Sequence, residues 1–283
     1  MNKNILITGG AGFIGGHLTD YLISKNYKVT VIDNFSNGHY KNPKAKYVDL
    51  DVKDIKEDNL INPYSGEIID TVYHLAGILD VETSKRIPKI YINQNSTLTY
   101  NLLDLCSKLK IRKFIYASSC ACIHPNSSPY ALSKYIPELF CKTYNNLYDI
   151  DTTSLRFFNV YGDRMNHSGY RLVLSIFKEQ YDNKQPLTVY NNGKQLRDYI
   201  HVDDVVSALY KSKNITTNAE VLDVGSGKAS SILDIVNMFG SECKFIGERS
   251  EITNTMSNIE KTKKILGWEP QHKLKDFIEC LKN

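Results

Sequence analysis

Tyr130 and Lys134 stand four residues apart in the stretch Tyr130-Ala131-Leu132-Ser133-Lys134, which reads as the opening of a helix. Residues at i and i+4 share one helical face. A phenol, with a reference pKa of about 10, is a poor base at neutral pH. A neighbouring ammonium favours the phenolate and lowers that pKa. Ser119, a short way upstream, can hold a substrate oxygen beside the phenol. The three together are suited to moving a proton on or off an alcohol. Tyr-x-x-x-Lys pairs also arise by chance on many helices, so this one takes its meaning from what surrounds it.

A second group lies near the N-terminus. Thr8-Gly9-Gly10-Ala11-Gly12-Phe13-Ile14-Gly15 follows the apolar run Ile5-Leu6-Ile7 and opens a helical pattern of Ile14, Leu18, Tyr21 and Leu22. The order is strand, glycine-rich turn, helix. Gly9 permits a tight turn, Gly12 lets the backbone approach a pyrophosphate, and Gly15 lets the helix pack closely on the strand. The helix N-terminus presents N–H groups and the positive end of its dipole to the phosphates. The next strand, Lys28-Val29-Thr30-Val31-Ile32, ends at Asp33 with Asn34 behind it. An acid about 20 residues beyond the glycines is where a ribose 2′-hydroxyl is held. Its negative charge opposes a 2′-phosphate, so NAD is expected rather than NADP. The positive nicotinamide ring would add to Lys134 in favouring the Tyr130 phenolate.

Both groups need a scaffold. Lys46-Tyr47-Val48-Asp49 reads as a third strand, and Thr71 to Gly77 as a fourth that ends in small residues. Pro88 suits the first turn of a helix. Ile92, Leu98, Leu102, Leu103, Leu105 and Leu109 then give an amphipathic pattern. Lys113 to Ser119 is a fifth strand. This βα rhythm predicts an α/β fold with a parallel, doubly wound sheet. Ligands bind beyond the carboxyl ends of such strands. The glycine turn, Asp33, Ala76 and Ser119 all fall at predicted strand ends. Pro137 denies the Ser133 carbonyl its helical N–H and predicts a local kink. Asp151 to Phe157 is a sixth strand running into a loop, after which the rhythm weakens. The expected domains are 1–158, binding the dinucleotide, and a smaller mixed substrate domain at 159–283, with some crossing of segments. Leu187-Thr188-Val189-Tyr190 reads as a short strand, and Asp203 and Asp204 as caps of a helix from Val205 to Tyr210.

The 283 residues carry 42% hydrophobic and 23% charged side chains and a net charge of +4, ordinary values for a globular protein. No Lys/Arg run points to nucleic acid or a membrane surface. No leader or membrane-length apolar run is evident, so a cytoplasmic location is expected. The six cysteines contain no Cys-x-x-Cys pair, which argues against a metal site.

The Gly-x-x-Gly-x-x-Gly spacing, the Ser119/Tyr130/Lys134 set and several later stretches resemble the extended short-chain dehydrogenase/reductase family, the nucleotide-sugar epimerases and dehydratases. Arg156-Phe157-Phe158-Asn159-Val160-Tyr161-Gly162 is similar to that family's Arg-Phe/Tyr-Phe-Asn-x-x-Gly. Arg197-Asp198-Tyr199-Ile200-His201-Val202-Asp203-Asp204 is similar to its Arg-Asp-Phe/Tyr-Ile/Val-His/Tyr-Val-x-Asp. Val221-Leu222-Asp223-Val224-Gly225-Ser226-Gly227 and Leu266-Gly267-Trp268-Glu269-Pro270 carry the resemblance to the end of the chain.

The resemblance implies NAD as cofactor and a nucleotide-diphosphate sugar as substrate. It implies that the backbone at Leu75, Ala76 and Gly77 lines the cofactor, and that Asn93 lies near the nicotinamide. It implies an adenine contact at Asp51-Val52, which on their own read equally as a surface acid beside a core valine. His74 reads as a satisfied, partly buried histidine. Asn159 and Arg197 would hold the diphosphate, for which a planar bidentate guanidinium is well suited. Tyr190 would contact the nucleotide base and Arg249 the nucleotide. Lys134 would also reach the nicotinamide ribose. A homodimer through the helices near 90–109 and 129–149 is a family expectation.

The leading expectation is epimerisation at C4 through transient oxidation to a 4-keto sugar. Dehydratases resemble Thr-Asp-Glu at the serine position, whereas Cys120 and Ala121 follow Ser119 here. Ser118-Ser119-Cys120 resembles the Ser-Ser-Cys of the GDP-fucose synthases, so a 4-keto-sugar reductase, with Cys120 or Cys122 donating a proton, is the alternative. Only residues 120–129 separate Ser119 from Tyr130, a shorter segment than the family usually has, and a non-catalytic NAD-binding regulator is the reading from another class.

Overall fold

Seven parallel strands carry the chain's main sheet, and their order reverses next to the first of them. The structure, a computed structural model, describes residues 4–62, 66–165, 172–247 and 254–282. The chain begins with β1 (Asn4–Thr8), α1 (Phe13–Ser24), β2 (Lys28–Asp33), β3 (Lys46–Asp49) and β4 (Thr71–His74). Two short helices, α2 (Val81–Arg86) and α3 (Pro88–Tyr91), lead through a π-helical turn (Ile92–Thr97) into α4 (Leu98–Lys108). Then come β5 (Lys113–Ser119), α5 (Pro129–Tyr148), β6 (Asp151–Phe157), β7 (Asn159–Tyr161), α6 (Val173–Asp182), β8 (Leu187–Val189) and β9 (Leu196–His201). The remainder is α7 (Val202–Lys213), β10 (Val221–Val224), β11 (Ala229–Ser231), α8 (Ile232–Phe239), β12 (Cys243–Phe245), α9 (Glu260–Leu266) and α10 (Leu274–Lys282).

The main sheet runs β10-β6-β5-β4-β1-β2-β3, and every pairing is parallel. The strand order turns back between β1 and β4, so their carboxyl ends frame a crevice. Side chains alternate across the sheet as the strand period requires. Ile5 and Ile7 join Val29, Val31 and Ile115 on one face, under Leu18 and Leu22 of α1 and Val205 and Leu209 of α7. Leu6, Ile32, Val72 and Phe114 lie on the other, under Leu102 and Leu103 of α4 and Cys141 and Tyr144 of α5. Both faces are covered, as a parallel sheet needs. A three-stranded sheet (β11-β9-β7) and a two-stranded one (β12-β8) form the smaller part. Its core joins Tyr161, Phe177, Leu187, Tyr199 and Phe239 to Phe13 of α1.

Val221–Val224 crosses back to the main sheet as β10, alongside β6. The start of α7 differs from the sequence expectation. Helix α7 starts at Val202 and is capped by His201, whose Nδ1 accepts the Asp203 N–H at 3.2 Å, not by Asp203 or Asp204. The buried Asp204 carboxylate instead accepts the N–H groups of Gln271 and His272, both at 3.0 Å. At Pro137, α5 runs on as one helix, and the Ser133 carbonyl that Pro137 leaves free accepts Ser96 Oγ–H at 2.8 Å.

Candidate active site

Ser119 is the last residue of β5, and its Oγ accepts the Ala121 N–H at 3.2 Å where the chain turns away. Ser128 caps α5 by accepting the Ala131 N–H at 3.1 Å, with Pro129 in the first helical position. This start places Tyr130 in the first turn and Lys134 one turn later, both buried. The Tyr130 N–H donates to Ser84 Oγ at 3.1 Å, and its ring meets the edge of Tyr91 at 6.3 Å between centroids. Lys134 Nζ donates to the Ala117 carbonyl at 2.5 Å and lies 4.6 Å from the Tyr116 ring centroid. Burial pulls Lys134 down to about 8, with Cys122 and Glu138 acting the other way. Its ammonium therefore persists at neutral pH beside β5.

Behind this pair lies a charged network. Glu138, one turn beyond Lys134, is buried and accepts Arg156 Nε and Nη2 at 2.8 and 2.7 Å and Ser118 Oγ–H at 2.5 Å. The bidentate pair joins α5 to β6. Burial pushes the Cys120 thiol up to about 12 and the Cys122 thiol up to about 11, so both hold their protons at neutral pH.

The glycine turn lies at the crevice. Gly9 has φ +74°, and a Cβ there would stand 2.7 Å from the Ala76 nitrogen, so only glycine lets β1 and β4 end this close together. A Cβ on Gly15 would meet the Gly9 oxygen at 2.2 Å. Helix α1 begins after Gly12 with no side-chain cap and no acid in its first turn. Asp33 Oδ2 accepts the Ala11 N–H and Oδ1 the Phe35 N–H, both at 2.9 Å. Burial raises the Asp33 carboxyl above its ordinary value, and these two N–H groups oppose that. Asn34 Nδ2 donates to Asp51 Oδ2 at 3.0 Å, which links two residues predicted on the adenosine side. Val52 is half-buried at the start of the turn that Asp51 caps. A glycine-rich turn, an uncapped helix N-terminus and an acid at the next strand end fit a dinucleotide.

His74 ties the end of β1 to α4. Thr99 Oγ1 donates to the Asn95 carbonyl at 2.6 Å, so at 2.9 Å it accepts from His74 Nε2–H. His74 Nδ1 then accepts from Thr8 Oγ1 at 2.7 Å. The ring is fully buried, and burial lowers its pKa to about 3. The unfolded chain, with His74 near 6.5, binds one proton more than the folded chain between those two values. Stability thus falls as pH drops through that window, by about 2 kcal/mol at pH 5. Urea unfolding at pH 7.5 and 5.0 measures it. The loss on acidification should be smaller by about 2 kcal/mol in His74→Leu, and an equal loss in both proteins would overturn this.

Asn95 is the residue the sequence reading missed. The predicted Asn93 is exposed. Asn95 is buried, its Oδ1 accepts the Ile78 N–H at 2.9 Å, and its Nδ2 donates to Ser133 Oγ at 3.0 Å and to the Ile78 carbonyl at 3.0 Å. A Cβ on Gly77 would lie 2.9 Å from Asn95 Oδ1 and 3.8 Å from Lys134 Nζ. Asn95, not Asn93, is therefore the asparagine brought to Gly77 and Lys134.

On the far side, Asn159 opens β7 and its Nδ2 donates to the Asp198 carbonyl at 2.8 Å. Arg197 is half-buried on β9, and its charge is felt at Cys120 just past Ser119. Asp198, also unassigned from sequence, is fully buried and accepts five donors from Ser226, Gly227 and Ser257. Tyr190 is half-buried just after β8. Arg249 lies outside the described residues.

Among the described residues, His201, Asp203 and His272 have metal-like spacing. The two imidazoles stack with centroids 4.3 Å apart and planes at 20°, and His201 Nδ1 is engaged as the α7 cap. In-plane lone pairs of stacked rings do not converge on one ion. No helix among the described residues is long and apolar enough to cross a membrane.

The sequence profile of the NAD dependent epimerase/dehydratase family matches residues 5–225. A putative UDP-glucose 4-epimerase of Methanocaldococcus jannaschii is 34% identical over 302 residues, spanning 99% of this chain and 97% of its own. The solved UDP-glucose 4-epimerase of Thermotoga maritima with UDP-glucose superposes with a TM-score of 0.89 at 30% identity, covering 99% of this chain and 96% of its own. The UDP-N-acetylglucosamine 4-epimerase of Methanobrevibacter ruminantium, in complex with UDP-N-acetylmuramic acid, gives the same score, identity and coverage. With the profile matched over most of its length, this chain belongs to the NAD-dependent epimerase/dehydratase family.

Proposed function

We propose that the protein is an NAD-dependent 4-epimerase of a nucleotide-diphosphate sugar, with a UDP-hexose as the class its relatives favour. The observation that carries this reading is the placement of Tyr130 and Lys134 one turn apart at the start of α5, next to the end of β5 where Ser119 sits. Gly9, Gly12, Phe13, Ile14 and Gly15 would hold the pyrophosphate. Asp33 and Asn34 would take the adenosine ribose, Asp51 and Val52 the adenine, and Leu75, Ala76 and Gly77 with Asn95 the nicotinamide end. When bound, the dinucleotide supplies a hydride acceptor that gives the hydride back to the opposite face of C4.

The chain's own residues do the rest. Tyr130 takes the proton of the sugar's 4-hydroxyl as general base and later returns it. The Lys134 ammonium stabilises the phenolate, more strongly in a buried site than in water. Ser119 orients the 4-oxygen towards the phenol. Asn159 and Arg197 grip the diphosphate while the 4-keto sugar turns about its linkage. The Asn159 side-chain amide, donating to the Asp198 carbonyl, ties β7 to β9.

Incubation with UDP-, GDP- and dTDP-sugars, with no cofactor added, tests the reading. Interconversion of one 4-epimer pair, with UDP-sugars preferred, is the expected result. Turnover only on addition of NADH or NADPH would make the protein a reductase and overturn it. Bound NAD with no turnover of any sugar nucleotide would make it a regulator.

A further inference from the structure

Residues 34–42 leave β2, pass over the glycine turn and are fastened to α1 by groups that take no part in the proposed proton transfer. The root of this strap is Asp33, whose carboxylate bonds both Ala11 of the turn and Phe35 of the strap. Its middle touches the turn directly. The Tyr40 N–H donates to the Ala11 carbonyl at 3.3 Å, and a Cβ on Gly38 would stand 2.3 Å from that oxygen and 2.7 Å from Gly12 Cα. Its far end is held by one carboxylate. Asp20 Oδ1 accepts Tyr40 Oη–H at 2.9 Å and Asn42 Nδ2–H at 2.7 Å.

A third element completes this fastening. Arg164, in the loop after β7, pairs with Asp20 Oδ2 at 3.0 Å and covers the Tyr40 ring with its guanidinium 4.1 Å from the centroid. Gly16 leaves the room, since a Cβ there would lie 3.0 Å from Tyr40 Cδ1 and 3.5 Å from an Arg164 nitrogen. Arg164 holds φ +65°, a left-handed conformation that a non-glycine residue keeps only where its surroundings enforce it. The pair is partly shielded, with Arg164 22% and Asp20 33% exposed, so ion pair and cation–π contact reinforce one another.

We propose that Asp20, Tyr40 and Arg164 form a latch that holds the 34–42 strap closed on the glycine turn and thereby keeps the dinucleotide resident through successive turnovers. The inference rests on the dinucleotide site assigned under Proposed function. A ligand held by both the glycine turn and Asp33-Asn34 touches the two parts the latch joins. Fixing those parts to one another lowers the cost of ordering them on binding, and that gain appears mainly as slower release. The chemistry favours such a device, because an epimerisation that returns its hydride has no need to exchange cofactor.

The test uses the full chain as wild type, Arg164→Ala and Tyr40→Phe. Dinucleotide released by heat is quantified per chain, and replacement of resident NAD by added etheno-NAD is followed by fluorescence, with circular dichroism as the check on folding. Tyr40→Phe keeps the ring and removes only the hydroxyl, which guards against simple misfolding. Wild type should retain its dinucleotide through gel filtration, and exchange should quicken about tenfold in Arg164→Ala, corresponding to about 1.4 kcal/mol, and by less in Tyr40→Phe. Equal exchange rates in all three folded proteins would overturn the latch, as would a wild type that exchanges freely. A wild type that binds no NAD at all would instead remove the dinucleotide site itself, and the latch with it.

Discussion

Tyr130→Phe should lower kcat by about 10²–10⁴-fold while leaving the fold and the bound dinucleotide in place. That range corresponds to about 3–5 kcal/mol in the barrier. The substitution removes the group assigned to take the sugar's proton and keeps the ring. The Tyr130 backbone N–H still reaches Ser84, and the ring still meets Tyr91 edge-on. Lys134 keeps its own anchor at the Ala117 carbonyl, so its position does not depend on the phenol. Epimerisation of the substrate identified in the sugar-nucleotide panel gives kcat, and heat release gives the dinucleotide per chain. A Phe variant with wild-type kcat would sink the assignment. Loss of activity together with loss of the dinucleotide would show that the hydroxyl serves binding instead of chemistry.

The parts of the site that were legible in the sequence are those set by local geometry. A strand, a glycine turn and a helix are neighbours in the chain, and so are Tyr130 and Lys134 on one helical turn. The parallel sheet then brings distant strand ends to one crevice, which the βα rhythm predicts without any knowledge of contacts. Asn95 escaped for a specific reason. The π-helical turn at Ile92–Thr97 inserts an extra residue, which shifts every following side chain round the axis. The resemblance points to Asn93, and within this turn it is Asn95 that is buried and bonded to Ile78 beside Gly77. The α7 cap and Asp204 were misread because the carboxylate bonds residues 67 and 68 positions away. Nothing local marks Glu138, since its partners Ser118 and Arg156 belong to two neighbouring strands. The Arg164 latch depends on a loop lying against α1, and no residue pattern in either segment announces it.

Asp198→Asn should destabilise the protein by about 2–4 kcal/mol and raise KM for the sugar nucleotide, although the side chain changes by a single atom. Oδ1 accepts Ser226 N–H and Oγ–H, both at 2.7 Å, while Oδ2 accepts Gly227 N–H at 3.0 Å, Ser257 N–H at 3.1 Å and Ser257 Oγ–H at 2.6 Å. The serine hydroxyls can rotate to meet an amide NH2, but the three backbone N–H groups cannot. Either orientation of the amide therefore sets N–H against N–H in a fully buried place. The better one, with NH2 at the Oδ1 position, still strands the Ser226 N–H. The effect reaches function through the backbone, because the Asp198 carbonyl holds Asn159 and the preceding residue is Arg197. Loosening β9 should weaken the diphosphate grip more than the proton transfer, so KM should rise more than kcat falls. Urea unfolding and initial rates on the same variant separate the two effects. Asp223→Asn is the control, since among the described residues that carboxylate receives a single backbone N–H, from Asn258, and burial already raises its pKa, so the neutral amide should cost less than about 1 kcal/mol. If Asp198→Asn proved no more damaging than Asp223→Asn, the five-donor cradle would not be what holds β9 to the segments carrying Ser226 and Ser257.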